Sequence, residues 1–172
     1  MTTGTKSLLF GVHQFAWHPL TVWIAWVRLY REIPGWRETI SILIHDWGYW
    51  GAPEMDGPVG SDHPKLGARI AGQLFGPWYR DLCLYHSGDL SRRHGVEPSK
   101  LCWPDKFSML YDPTPFYLFR ARLSGELLEY RKRASDRAFV PLDAPDIVWH
   151  RALVNHARAK AEKRATEIRG VA

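Results

Sequence analysis

Cysteine is scarce in this chain. Cys83 and Cys102 are the only two, they lie far apart, and neither belongs to a CxxC pair or to a His–Cys ligand spacing. A disulfide-stapled scaffold is thereby excluded; both thiols are expected in the core, and the expected compartment is a reducing cytoplasm. Alternating apolar runs long enough for a strand are missing, which argues against sheet architectures, and no internal repeat is found. Compositional bias is missing too: 45% of residues are apolar and 24% charged. That balance excludes a disordered chain, a collagen-like fibre and a coiled-coil rod.

One stretch lacks charge altogether. Residues 7–27 contain no Asp, Glu, Lys or Arg over 21 positions, long enough to cross a bilayer. His13, Gln14, His18 and Pro19 sit near its middle, however, and polar groups there are costly in lipid. Pro19 also makes a better helix start than a helix middle. The stretch is therefore expected to be a short strand or loop followed by a buried helix, not a membrane span. A single Lys precedes it and no small-residue cleavage site follows, so no signal peptide is expected.

Aromatics, by contrast, are plentiful: nine Trp, seven Tyr and seven Phe in 172 residues. They suffice to close one core at this length, and a single domain spanning 1–172 is expected. Lys and Arg total 23 against 18 acids, for a formal charge of +5. This mild excess favours anionic ligands such as phosphates, with no stable nucleic-acid complex expected. Part of it lies in residues 150–169, an Ala/Lys/Arg-rich segment that reads as a solvated C-terminal helix, with His150 and His156, like His94, facing solvent.

Helical periodicity runs through most of the chain. Residues 20–31 place Val22, Ala25, Trp26 and Leu29 at spacings of three and four, and Pro34 and Gly35 end the helix. Residues 36–47 form a second helix on Trp36, Ile40, Leu43, Ile44 and Trp47. Residues 48–62 hold four Gly and two Pro and read as a loop. Further helices are expected over 64–75 (Leu66, Ile70 and Leu74 on one side) and 78–86. After a polar loop over 87–98, helix resumes near residue 99, bent at Pro104, and continues over 115–133 and 146–169. The expected fold is all-α, a compact bundle of six or seven helices.

Histidine and aspartate carry the chemistry. His18 opens the first of these helices, His45 and Asp46 are adjacent at the end of the second, His63 opens the third, His86 closes the fourth and Asp105 lies in the fifth. The run Ile42, Leu43, Ile44 leads straight into the His–Asp pair, so both should be partly buried. A buried carboxylate needs a positive partner, and a metal ion is the strongest one available. Imidazole with carboxylate suits Fe, Mn, Co, Ni or Zn, drawn from separate helices facing one core. His13 is the competing first ligand, but the helical register of Val22 and Ala25 stands behind His18.

With these residues in place, the chain resembles the HD-domain metal-dependent phosphohydrolases. The matching segments are HPLTVWIAW at 18–26, LIHDWGYWG at 43–51, HPKLGARIAGQL at 63–74, LYHSGD at 84–89 and WPDKFSM at 103–109. The family order of His, His-Asp, two further His and a final Asp falls on His18, His45, Asp46, His63, His86 and Asp105. The resemblance covers about residues 13–112, leaving C-terminal helices over 113–170. It implies one or two divalent transition metals, the first held by His18, His45, Asp46 and Asp105. Asp46 bridges to a second, completed by His63 and His86. It further implies hydrolysis of a phosphoester or phosphoanhydride by a metal-bound hydroxide, in a small phosphorylated substrate such as a nucleotide. Members with the same six ligands also include di-iron oxygenases, and a non-catalytic metal- or nucleotide-binding module is the third alternative.

The chain departs from its relatives three positions after Asp46. Many members carry Lys or an acid there; this chain has Tyr49, which can donate a hydrogen bond to a phosphoryl oxygen but supplies no cation. Asp46 and Tyr49 are thus the expected catalytic pair. Arg92 and Arg93 are the preferred phosphate contacts, with Lys65, Arg69 and Lys106 as further candidates. The Gly/Pro-rich segment 51–62 is a candidate lid.

Overall fold

The computed structural model describes residues 1–136 and 140–170. Among them are ten α-helices and no strand, so the all-α expectation holds while the helix number is larger than six or seven. The helices are α1 (Thr3–Phe10), α2 (Trp17–Tyr30), α3 (Trp36–Ile44), α4 (Pro64–Phe75), α5 (Pro77–Leu84), α6 (Gly88–His94), α7 (Cys102–Phe107), α8 (Thr114–Ser124), α9 (Glu126–Asp136) and α10 (Asp146–Gly170). None is long and apolar enough to cross a membrane.

The three extra helices each have a local cause. The N-terminal segment is α1, not a strand or loop, because the Thr2 side chain caps it by accepting from the Thr5 N–H. The polar segment 87–98 contains α6, capped in the same way by Ser87 and closed by Gly95 in the left-handed conformation. The expected helix over 115–133 is split in two at Gly125, whose φ of 89° a side chain rarely adopts. Pro104 causes no bend: α7 starts at Cys102, so Pro104 falls in its first turn, where a missing N–H costs nothing.

Two packed regions flank a central cluster. Val22 and Trp26 of α2 meet Ile42 of α3, Leu82 of α5 and Leu101. Tyr117, Leu118 and Ala121 of α8 meet Leu127 and Ala134 of α9 and Trp149 of α10. Both Cys are fully buried. On α4 the buried face is Gly67, Ala68 and Ala71, while Leu74 of the expected apolar stripe is exposed. The small residues win because they let α4 approach α3 and α5 closely.

The C-terminal helix is packed at both ends rather than solvated. Trp149 joins the α8–α9 core, and Ala161, Ala165 and Ile168 lie against Ala25, Leu29 and Phe107. His150, expected in solvent, is fully buried. Its ring lies 4.3 Å from that of Tyr117, its Nδ1 pairs with the Thr114 hydroxyl at 3.2 Å, and its Nε2 has no partner. Burial pushes its pKa down from 6.5 to about 4. The folded chain thus keeps His150 neutral where the unfolded chain takes up a proton, and this contribution to stability is present above pH 6.5 and lost as pH falls toward 4. In melting curves across that window, the wild type should lose stability relative to His150→Phe as the pH is lowered; parallel curves would show that His150 does not titrate on unfolding.

Candidate metal centre

Asp46 lies where α3 ends and a short 3₁₀ turn, Trp47–Tyr49, begins. His45 caps α3, His63 precedes α4, and His86 follows α5 by two residues. His18 sits in the first turn of α2 and Asp105 in α7. Helix ends from five parts of the chain thus converge on one carboxylate. Two glycines permit the convergence. A β-carbon on Gly48 would lie 1.9 Å from the His63 carbonyl oxygen, and one on Gly67 would lie 2.5 Å from that of Ile44.

The carboxylate of Asp46 divides its oxygens between two sets of imidazoles. Oδ2 lies 3.1 Å from Nε2 of both His18 and His45. Oδ1 lies 3.4 Å from Nε2 of both His63 and His86. Asp105 Oδ1 completes the first set at 3.1 Å from His18 and 3.6 Å from His45. His18, His45, Asp46 and Asp105 form one group that could hold a metal ion; Asp46, His63 and His86 form another.

Ring orientation follows from the backbone. The Nδ1 of His45, His63 and His86 each faces a carbonyl three residues earlier, that of Ile42, Gly60 and Cys83, at 2.6, 2.7 and 2.5 Å. A carbonyl only accepts, so each Nδ1 carries a proton and each ring turns its Nε2 inward. This is the arrangement in which metal-binding histidines are held by their other nitrogen. The Nε2 atoms of His63 and His86 face each other at 3.1 Å, an opposition of lone pairs that a cation relieves. His45 Nε2 and Asp46 Oδ2 are buried without a hydrogen-bond partner.

These features fit a metal. Bonds of roughly 2.1 Å put neighbouring ligand atoms about 3.0–3.4 Å apart, which matches most of the spacings above. Imidazole and carboxylate donors together suit first-row transition metals. The electrostatics show the same demand for positive charge. Burial would raise the Asp46 pKa, but charge on His45 and contacts with His18 and His63 hold it well below the carboxylate range. Asp105 is held low in the same way, against burial, by His18 and His45. Burial opposes charge on His45, yet Asp46 and Asp105 raise its pKa to about 10. His63 moves the other way, lowered by burial and by its neighbour His86.

Tyr49 is buried, with its ring stacked on His63 at 4.0 Å and 12°. Burial first, then the charges of Asp46 and Asp105, raise its pKa well above 10, so the phenol stays protonated. His13 belongs to neither ligand group. Its Nδ1 engages Ser7 and the buried carboxylate of Glu126, at 3.1 and 3.2 Å, and its ring lies 5.1 Å from that of His18.

A cavity of about 580 Å³ opens beside the cluster. His13, His18, Tyr49, Asp105 and Lys106 line it, together with Tyr117, Tyr130, Arg133, Trp149, His156 and Lys160 from α8, α9 and α10. Of the cations expected to meet phosphate, only Lys106 lines it. Lys65, Arg92 and Arg93 are not among its lining residues. Lys65 and Arg93 pair with Asp62, and Arg92 and Arg93 with Asp89. Arg69 is exposed on α4. The sequence reading missed Arg133 and Lys160. The stripe Trp149, Leu153, His156, Lys160 at helical spacing was the signal for the α10 wall, and it was obscured by the surrounding Ala/Lys/Arg composition. The segment 51–62 is tied down: Glu129 accepts from the Met55 and Asp56 N–H groups, and Asp56 pairs with Arg133.

Comparison with protein-family models, with curated proteins and with solved structures gives no match.

Gly48 provides a test that leaves every ligand in place. Gly48→Ala should push His63 away from Asp46 and lower the metal content measured by elemental analysis, with a reduced melting temperature. Unchanged metal content and stability would show that the contact is not needed.

Proposed function

We propose that the protein is a metal-dependent phosphohydrolase that cleaves a phosphoester or phosphoanhydride bond in a small substrate such as a nucleotide. The observation that carries this reading is the Asp46 carboxylate, with one oxygen toward His18 and His45 and the other toward His63 and His86. That division suits two adjacent metals sharing one bridging ligand. When bound, such metals supply Lewis acidity toward phosphoryl oxygens and lower the pKa of a coordinated water.

The chain's own residues do the rest. His18, His45 and Asp105 hold one position, His63 and His86 the other, and the backbone carbonyls behind three of the imidazoles keep them aimed. Tyr49, rigidly stacked on His63, presents a protonated phenol on the wall of the cavity, suited to donate a hydrogen bond to a phosphoryl oxygen. Lys106, next to Asp105, supplies a cation at the same side. Tyr117, Tyr130 and Trp149 offer flat surfaces for an aromatic body such as a base.

Purified protein should carry one or two transition metals per chain, and Asp46→Asn should lose metal and activity together. Tyr49→Phe should keep metal and fold and lose about 10²-fold in kcat, the cost of one polar transition-state donor. The decisive assay is phosphate release from a panel of nucleotides and aryl phosphates with Mn, Fe, Co, Ni or Zn. Strict O₂ dependence of turnover would replace this reading with an oxygenase, and ligand binding without turnover under any metal would replace it with a binding module.

A further inference from the structure

The cavity lining includes three cations, Lys106, Arg133 and Lys160, and three carboxylates, of which Asp105 belongs to the cluster, Asp112 pairs with Arg120 and Asp56 with Arg133. Lys106 adjoins the cluster through Asp105. Arg133 and Lys160 come from α9 and α10, which contribute no ligand to either group. Lys160 has no acidic partner among the described residues. Arg133 gives its NH1 to Asp56, which leaves Nε and NH2 as donors. The rings of Tyr117, Tyr130 and Trp149 line the same cavity. Its volume of about 580 Å³ accommodates a molecule larger than a phosphate with a small leaving group.

We propose that the α9–α10 wall is a second anion subsite, built on Arg133 and Lys160, and that the substrate is an organic molecule with two anionic groups. One is the reacting phosphoryl at the His/Asp cluster. The other is a phosphate or carboxylate gripped by the guanidinium of Arg133 and the ammonium of Lys160, with the aromatic walls holding the body between them. The identity of the reacting group rests on the phosphohydrolase reading; the second subsite does not.

The test compares matched pairs that differ by one phosphate: phenyl phosphate with 1,4-phenylene bisphosphate, and adenosine 5′-monophosphate with adenosine 3′,5′-bisphosphate. Dissociation constants by calorimetry and KM by phosphate release are measured on the metal-loaded protein and on Arg133→Ala, Lys160→Ala and the double variant. Metal content and melting temperature verify that each variant is folded and loaded. The wild type should prefer the bisphosphate of at least one pair by about 10- to 100-fold, the range for hydrogen bonds to a charged group. The double variant should bring that ratio toward one. No preference in either pair, or a preference that survives both substitutions, overturns the subsite. Charge-dependent binding without hydrolysis upholds the subsite and fails the phosphohydrolase reading. Hydrolysis without the preference does the reverse.

Discussion

Burying the Asp46 carboxylate among four imidazoles is the constraint around which the fold is arranged. A carboxylate in that position is costly without positive charge beside it, and the rise of the His45 pKa to about 10 beside Asp46 and Asp105 expresses that demand. The chain accepts the cost by fixing each group before any ligand arrives. Three imidazoles are locked by the carbonyl three residues earlier, and two glycines let α3, α4 and the 3₁₀ turn between them approach without side chains in the way. A centre held this rigidly requires little reorganisation to take up cations, which is the condition for two metals to share one carboxylate.

A second buried carboxylate, Glu126, anchors the other half of the molecule. It accepts hydrogen bonds from the hydroxyls of Ser7, Ser124 and Tyr130 and from the Val12 N–H, and it meets His13. Arg120, also buried, ties the Gly11 and Val12 carbonyls to Asp112. Together they clamp the turn between α1 and α2 onto α8 and α9. Because α2 carries His18, the same clamp sets the position of the metal cluster relative to the cavity wall. Local polar networks of this kind, largely buried and nearly saturated, confer a single geometry more than they confer net stability.

The six candidate ligands were legible because each sits at or near a helix boundary that Pro, Gly or an apolar run already marks. His63 stands directly before Pro64, and His45 and Asp46 follow Ile42–Ile44. The N-terminal helix and α6 were not legible, since their start signals are single capping hydroxyls in polar or charge-free surroundings. The break at Gly125 was hidden inside an otherwise continuous helical pattern. The burial of His150 was hidden by its basic neighbours, and the ion pair of Arg93 with Asp62 joins residues 31 apart in sequence. Charge in a sequence shows how many cations exist but not which ones their neighbours have already paired.

The resemblance to metal-dependent phosphohydrolases spans about residues 13–112, and every candidate ligand falls within it. The far wall of the cavity falls outside it. Tyr117, Tyr130, Arg133, Trp149 and Lys160 all come from the C-terminal helices. The candidate metal ligands and much of the cavity lining therefore come from different stretches of the chain. The clamp on Glu126 and Arg120 joins them, so a change in α8–α10 can alter what enters the cavity while the histidines and Asp46 keep their places. A few helix ends thus set the candidate metal centre, while the surface brought opposite it by the rest of the chain is free to differ, the separation by which one fold hosts different sites.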